Sequence, residues 1–315
     1  MKAWVLRGLG DIHLEDVAVP ELKDGEALVR VKRAGICSSD IQRIFGGGAY
    51  YYPLIPGHEF SGVVEDVRGG NGDFVGKHVG VFPLLPCFKC KPCAAGAYET
   101  CTGYGYIGSR RDGAFAEYVA VPVWNLVVLP DEISFEDAAL LEPASVALHA
   151  VKRVDWSLLD NAAVVGDGTI GRFVEGWLRH YSAGDVRLFG RREAAPKDTL
   201  FDAAFEAVGS VDALRRCIQL TRPGGHIVLI GNPGPDFSLE QKTYWQVLRK
   251  QLVVHGSWNS SYPHEWRESI DALTSGELRA QSQISHRFGF DKLHDALDML
   301  YLRKEKVLKI MIIVA

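Results

Sequence analysis

Two hydrophobic rhythms divide the chain. Up to about residue 135, apolar positions come in short runs of strand composition, such as Ala27-Leu28-Val29-Arg30-Val31 and Gly62-Val63-Val64-Glu65-Asp66-Val67. Gly25, Gly46-Gly47-Gly48, Pro53, Pro56-Gly57 and Gly69-Gly70 punctuate them, the residue types that turns require. The first half therefore reads as all-β with irregular loops. Near Glu136 the rhythm changes. Ala138, Ala139, Leu140, Leu141, Ala147 and Leu148 give residues 135–154 a helical spacing. A strand at Ala162-Ala163-Val164-Val165, a Gly-rich turn, a helix from Thr169 to about Tyr181 and a strand at Asp185-Val186-Arg187-Leu188-Phe189 follow. Strand, helix, strand predicts a βαβ unit and a parallel sheet. Further strands are expected at 203–206 and 226–230. Between them lies a helix carrying Leu214, Cys217, Ile218 and Leu220, stopped by Pro223-Gly224-Gly225. Residues 293–315 read as a helix and then a strand that can return to the first half.

With 315 residues, 47% hydrophobic and 23% charged, the chain is long enough for two domains of ordinary globular composition. A net charge of -4 argues against a general nucleic-acid binder, which normally carries a basic stripe. Asp11, Glu15 and Asp16 interrupt any signal-like apolar stretch, and the terminal IMIIVA run is a strand's length, too short to span a bilayer. A cytoplasmic protein with no membrane partner is expected.

Composition alone names no chemistry; the cysteines do. Cys87, Cys90, Cys93 and Cys101 follow C-x2-C-x2-C-x7-C. Two-residue gaps let successive thiolates converge on one tetrahedral ion, and the longer gap brings back the fourth. Such a shell is full, so the zinc would be structural. Four unligated thiols and an iron–sulfur cluster stay open as alternatives. Cys217, inside a helical apolar pattern, reads as a small buried hydrophobe. A second set, Cys37, His58 and Glu142, offers three competent zinc ligands and leaves a position for substrate. On spacing alone, each of the three is more often an ordinary core or surface residue than a ligand.

The run Gly166-Asp167-Gly168-Thr169-Ile170-Gly171 is G-x-G-x-x-G directly after an apolar strand and opening a helix. Here Gly166 makes the tight turn, Gly168 admits a pyrophosphate, and Gly171 lets the helix pack close to the strand. The helix N-terminus attracts the phosphate charge. Asp167 is an awkward neighbour for that charge, so its side chain should point away. At the tip of the second strand, where an acid would accept from the ribose hydroxyls of NAD, stand Gly190, Arg191 and Arg192. Two guanidiniums can hold a 2′-phosphate, which predicts NADP(H) in preference to NAD(H). A solvated arginine pair is the alternative.

Taken in order, GICSSD, PGHEFSG, the cysteine knuckle, Glu142-Pro143 and the Gly-rich turn resemble the zinc-dependent medium-chain dehydrogenase/reductase family over nearly the whole chain. The stretches RIFGGGAYYYPLIPGHEFSG, IGSRRDGAFAEY and GSW resemble its polyol dehydrogenase branch. GDGTIG and FGRR are more like NADPH-linked pentulose-phosphate reductases of the same family. The resemblance implies a GroES-like β-barrel catalytic domain, residues 1–145 and 286–315, joined to a Rossmann domain, residues 146–285, with a doubly wound parallel sheet. The Rossmann half is short, with only fifteen residues between Phe189 and Phe205 where the family usually has another helix and strand.

The resemblance also implies roles. Cys37, His58 and Glu142 match catalytic zinc ligands, Glu59 matches an acid that enters or leaves the shell, and Ser39 matches a proton-relaying hydroxyl. Where some relatives carry a relay histidine, this chain has Gln42. Lys309 falls loosely where relatives place a basic residue on the pyrophosphate. Two zinc ions per chain are implied, one catalytic and one in the knuckle. Hydride would pass between a nicotinamide in the interdomain cleft and a secondary alcohol or ketone. The substrate would be a small alcohol, polyol or sugar phosphate, such as galactitol 1-phosphate or a pentitol phosphate. Arg43, Arg110 and Arg111 are candidate phosphate holders, with surface ion pairing as the equal alternative. A homodimer or homotetramer is expected. Two other readings remain: a catalytically inactive nucleotide- or ligand-binding protein on this fold, and a zinc-free reductase.

Overall fold

The computed structural model describes every residue except 71, 183, 192, 194–198, 235, 237 and 303–305. Strands β1 (Lys2–Gly8), β2 (Asp11–Asp16) and β3 (Glu26–Ile36) lead into helix α1 (Ser38–Phe45). Then come β4 (Glu59–Arg68), β5 (His78–Val81), β6 (Leu84–Leu85), the short helix α2 (Lys91–Ala94), β7 (Gly105–Tyr106), β8 (Tyr118–Pro122) and β9 (Leu126–Val128). Helices α3 (Phe135–Ala139) and α4 (Leu141–Val151) occupy the predicted single helix. It breaks because Pro143 has no amide to donate to the Ala139 carbonyl; the helix restarts with the proline in its first turn.

The second half follows the predicted alternation: β10 (Asn161–Val165), α5 (Thr169–His180), β11 (Asp185–Phe189), β12 (Phe201–Glu206), α6 (Val211–Leu220), β13 (Thr221–Leu229), α7 (Gln241–Arg249) and β14 (Val253–Gly256). Pro223-Gly224-Gly225 does not separate helix from strand. It is absorbed into β13 as an irregularity, where the pairing with β12 shifts between Phe201 and Ala203. The chain ends with α8 (His264–Thr274), β15 (Ile284–Gly289), α9 (Leu293–Leu302) and β16 (Lys309–Ile313).

Two compact units result, residues 1–142 with 266–315, and residues 143–265. In the first, seven strands form one sheet in the order β15-β16-β3-β4-β5-β9, with β8 also paired to β3. Its core contains Trp4, Val29, Val31, Phe60, Val64, Phe115, Val119, Leu297, Ile310 and Ile312. Each such side chain contributes about 1.5–3 kcal/mol by leaving water. The register matters for function: Gly35 faces Glu59 across β3 and β4, and Ile310 faces Ile36 across β16 and β3. The end of β3 and the starts of β4 and β16 are therefore neighbours.

The second unit is a five-stranded sheet in the order β11-β10-β12-β13-β14, every pair parallel. Strand order reverses around β10, which creates a crevice at the carboxyl ends where α/β sheets take ligands. Phe173, Val174, Trp177 and Leu178 line the buried face of α5. Cys217 is fully buried among Phe201, Ala213 and Ile227. Among the described residues, no helix or strand lies between β11 and β12. No described helix is long and apolar enough to cross a membrane.

Candidate metal and nucleotide sites

Three sequence features bring the first site together. Cys37 ends β3 and caps α1, with its amide donating to Asp40 Oδ2 at 3.0 Å. His58 and Glu59 lead into β4. The ligand atoms of Cys37, His58 and Glu59 all lie within 4.8 Å of one another. Gly35 makes this possible. A Cβ at that position would stand 2.4 Å from Glu59 Oε2, so only glycine leaves room for the carboxylate. Lys309, at the start of β16, donates to Glu59 Oε1 and Oε2 at 2.7 and 2.5 Å and to the Ile36 carbonyl at 3.2 Å.

Asp40 is the organiser of this set. It is fully buried, accepts from Arg43 Nη1 at 2.9 Å, and places Oδ1 3.3 Å from His58 Nδ1. With Nδ1 facing Asp40, the other ring nitrogen is left for an ion. Burial opposes charge on His58, but the Asp40 carboxylate outweighs it and holds the imidazole well above its usual range. Burial likewise disfavours the Asp40 carboxylate, yet the neighbouring His58 and Arg43 charges keep it below the usual range. Glu142 lies on α4, and Tyr106 donates to its Oε1 at 3.1 Å. It does not belong to the converging set. Burial, opposed mainly by the His58 charge, pushes its carboxyl up to about 7. The carboxylate that shares space with Cys37 and His58 is thus Glu59, while Glu142 stands beside them on Tyr106. One thiolate, one imidazole and one carboxylate make a borderline-soft donor set suited to zinc, with a coordination position left over.

The knuckle forms the second cluster. Cys90 caps α2, Cys93 lies on it, and Cys101 follows a single helical turn at Tyr98–Thr100. All four sulfurs of Cys87, Cys90, Cys93 and Cys101 lie within 4.8 Å of one another, and the Cys90 and Cys101 sulfurs are 3.8 Å apart. Tetrahedral zinc–thiolate bonds place sulfurs about 3.8 Å apart. The amides of Cys93 and Thr102 pull the Cys90 thiol down to about 6, while burial pushes Cys93 up to about 12.

In the second unit, the glycine turn joins β10 to α5. Gly166 has φ +121° and its amide donates to the Phe189 carbonyl at 2.9 Å. Gly168 caps α5, and Thr169 and Ile170 form its first turn. A Cβ on Gly171 would fall 1.8 Å from the Gly166 carbonyl oxygen. The Asp167 carboxylate turns toward the strand tip, so that a Cβ on Gly190 would lie 3.3 Å from its Oδ2. At that tip the Gly190 amide donates to Glu193 Oε2 at 3.2 Å, and Arg191 is exposed. Arg192 lies outside the described residues.

Family models match both halves: "Alcohol dehydrogenase GroES-like domain" over residues 23–131 and "Zinc-binding dehydrogenase" over residues 189–275. Galactitol 1-phosphate 5-dehydrogenase of Escherichia coli K12 is 34% identical over 330 residues, covering 94% of this chain and 95% of that protein. The chain belongs to the zinc-dependent medium-chain dehydrogenase/reductase family. Two solved family structures agree in fold. A putative zinc-binding dehydrogenase from Sinorhizobium meliloti 1021 bound to NADP has TM-score 0.89 and 26% identity, covering 99% of each chain. A structure described as a short chain alcohol dehydrogenase from Escherichia coli CFT073, complexed with NADH, has TM-score 0.89 and 25% identity, covering 100% of this chain and 99% of that one.

In this medium-chain dehydrogenase the three predicted phosphate holders are dispersed. Arg43 is paired with buried Asp40, and Arg111 with Glu26 at 2.8 Å. Arg110 is different. Its guanidinium lies over the Tyr50 and Tyr104 rings, 4.6 and 4.2 Å from their centroids, and donates to Tyr50 Oη and the Tyr104 carbonyl. Arg110 and Arg111 line a cavity of about 700 Å³ with Tyr51, Leu54, Ile55 and Asp112; Arg43 and the metal-site residues do not line it. Ser39 sits half-buried in the first turn of α1. Lys309, expected near the pyrophosphate, commits its buried ammonium to Glu59. Sequence reasoning missed Asp40, Tyr106 and the Lys309–Glu59 pair. Asp40 had a readable signal, an acid three residues after a helix-capping position; the other two had none.

Proposed function

We propose that this chain transfers a hydride between NADP(H) and a secondary alcohol or ketone, with a polyol or sugar phosphate as substrate and two zinc ions per chain. The convergence of Cys37, His58 and Glu59 carries this reading. Cys37, His58 and Glu59 would hold a zinc ion that would supply Lewis acidity toward a hydroxyl or carbonyl oxygen, and a bound nicotinamide would supply the hydride donor or acceptor. The protein's own residues do the rest. Asp40 fixes the ring of His58 and Gly35 seats Glu59. Lys309 balances the Glu59 charge through bonds to both carboxylate oxygens. Ser39 passes the substrate proton outward. Glu142, held by Tyr106, is the alternate carboxylate beside the set, able to take or release a proton near neutrality. The Cys87, Cys90, Cys93 and Cys101 cluster holds the second zinc as a structural brace.

The relative that acts on galactitol 1-phosphate supports a phosphorylated substrate. Arg110 is the best phosphate holder of the three, because its bonds go to an uncharged carbonyl and a hydroxyl. For the cofactor, side-chain-free Gly190 and exposed Arg191 favour a 2′-phosphate. One observation favours NAD(H) instead: Glu193 places a carboxylate on the Gly190 amide, close to where ribose hydroxyls are accepted. Steady-state kinetics on a panel of polyol and sugar phosphates with each cofactor decides both points. A kcat/KM at least tenfold higher with NADPH than with NADH is expected for the favoured ketone. A preference for NADH turns the cofactor reading to the Glu193 alternative. No turnover of any member by zinc-loaded protein overturns the enzymatic reading.

The reading places the protein in the cytoplasm, where thiols stay reduced. It works there as a homodimer or homotetramer. Exposed Tyr244, Trp245 and Leu248 on α7, with Val253 and Val254 on edge strand β14, give a second copy an apolar face. Sedimentation equilibrium reads the mass; a monomer at micromolar concentration removes that part.

A further inference from the structure

The connection from β11 to β12 is short, and no described residue of it is helical. Among the described residues, the strand tip that decides between cofactors is held by a side chain from another element. Arg216, on α6, donates from Nη1 to the Gly190 carbonyl at 2.8 Å and from Nη2 to the Glu193 carbonyl at 2.5 Å. Its guanidinium carbon lies 4.8 Å from the centroid of the Phe189 ring. It thus grips the tip at three points, the ring of Phe189 and the carbonyls of Gly190 and Glu193.

Its neighbour sharpens the contrast. Arg215 spends its charge on carboxylates, Asp212 at 2.5 Å and Glu240 at 3.5 Å. Both hydrogen bonds of Arg216 go to neutral carbonyls. A guanidinium has more N–H donors than these two bonds use. Cation–carbonyl bonds and a ring face orient such a group without neutralising it.

We propose that Arg216 is a specificity-determining residue for the cofactor: it holds the Gly190–Glu193 tip in place and turns a guanidinium toward the 2′-phosphate of the adenosine half. This rests on the NADP(H) reading. Arg191 supplies charge from an exposed position on the loop, whereas Arg216 is anchored on a helix. An anchored cation loses less freedom on meeting an anion, and so contributes more discrimination per contact.

The test is isothermal titration of the full-length, zinc-loaded protein with 2′,5′-ADP and with 5′-AMP, comparing wild type, Arg216→Met and Arg216→Lys. Wild type should bind 2′,5′-ADP at least tenfold tighter. Arg216→Met should weaken 2′,5′-ADP at least tenfold and 5′-AMP less than about twofold, with Arg216→Lys in between. Equal weakening of both ligands means that Arg216 only holds the loop, and overturns the proposal; so does an unchanged ratio in both variants. If wild type binds the two ligands equally, the NADP(H) reading itself falls, whatever the variants do. Thermal melts of the three proteins identify misfolding, and Arg216→Lys carries the comparison if Arg216→Met does not fold.

Discussion

Lys309 Nζ lies 2.7 and 2.5 Å from the two carboxylate oxygens of Glu59, and both side chains are buried. The pair joins the start of β16 to the start of β4, so the last strand of the chain neutralises a group at the metal site. Removing one partner of a buried pair leaves an uncompensated charge and costs about 3–5 kcal/mol. A cation in the site offers Glu59 another partner. Lys309→Met should therefore lower the melting temperature of chelator-treated protein markedly and that of zinc-loaded protein much less. Calorimetry with and without zinc checks this. Equal losses in both states show that zinc does not engage Glu59.

The His58–Asp40 contact sets a pH dependence for metal uptake. Asp40 holds the imidazole of metal-free protein well above its usual range, so a proton competes with zinc for His58. Zinc affinity should rise steadily from pH 6 to pH 8. Stability of the metal-free protein should move the other way. A raised folded-state pKa stabilises below the unfolded value and loses that contribution as pH climbs through the folded value. Asp40→Asn should lower zinc affinity about 10–100-fold, as loss of a ligand-orienting partner does. Competition with a chromophoric chelator measures all of this; an affinity flat in pH contradicts it.

What the chain betrays in advance is local. Strand β11 lies where its residues predicted, because β-branched and aromatic side chains run between clear turn residues. The knuckle sulfurs converge as their spacing requires, because nearby backbone fixes three of the four. Pro143 could have announced the break between α3 and α4. Other relationships depend on packing that no local pattern records. Lys309 meets Glu59 across 250 residues, and Arg216 meets Gly190 across 26. Which carboxylate faces Cys37 follows from Gly35 opposite Glu59, a matter of strand register. Register is set by the whole sheet, and so the sequence reading puts Glu142 ahead of Glu59 as the ligand, whereas the structure groups Glu59 with Cys37 and His58.

Gly171 is a test of the nucleotide turn. A methyl group there would overlap the Gly166 carbonyl oxygen, and neither atom can swing aside, since one is main chain and the other would sit on a packed helix. Gly171→Ala must push α5 away from β10, displacing the amides that face a pyrophosphate. Cofactor affinity should fall at least tenfold, with both 2′-phosphorylated and plain dinucleotides affected alike, while zinc content is unchanged from wild type. Fluorescence titration with NADPH and NADH gives the affinities. Unchanged binding of both places the pyrophosphate elsewhere.

Cys93 offers a way to separate the two candidate metal sites. It is buried, burial raises its thiol to about 12, and a dication beside it would make the thiolate favourable. Cys93→Ser should lower the zinc content by about one ion per chain and make residues 87–101 the first site of proteolysis. The Cys37–His58–Glu59 set, built from other strands, should keep its ion and a substantial share of turnover at low temperature. His58→Ala should make the reverse cut: one ion lost, an intact knuckle, and turnover reduced at least about a hundredfold, because on the proposed reading His58 would hold the ion that polarises the reacting oxygen. Elemental analysis paired with kinetics on both variants reads the contrast. If Cys93→Ser alone abolishes turnover in protein that still holds one ion and melts normally, the knuckle cannot be a mere brace.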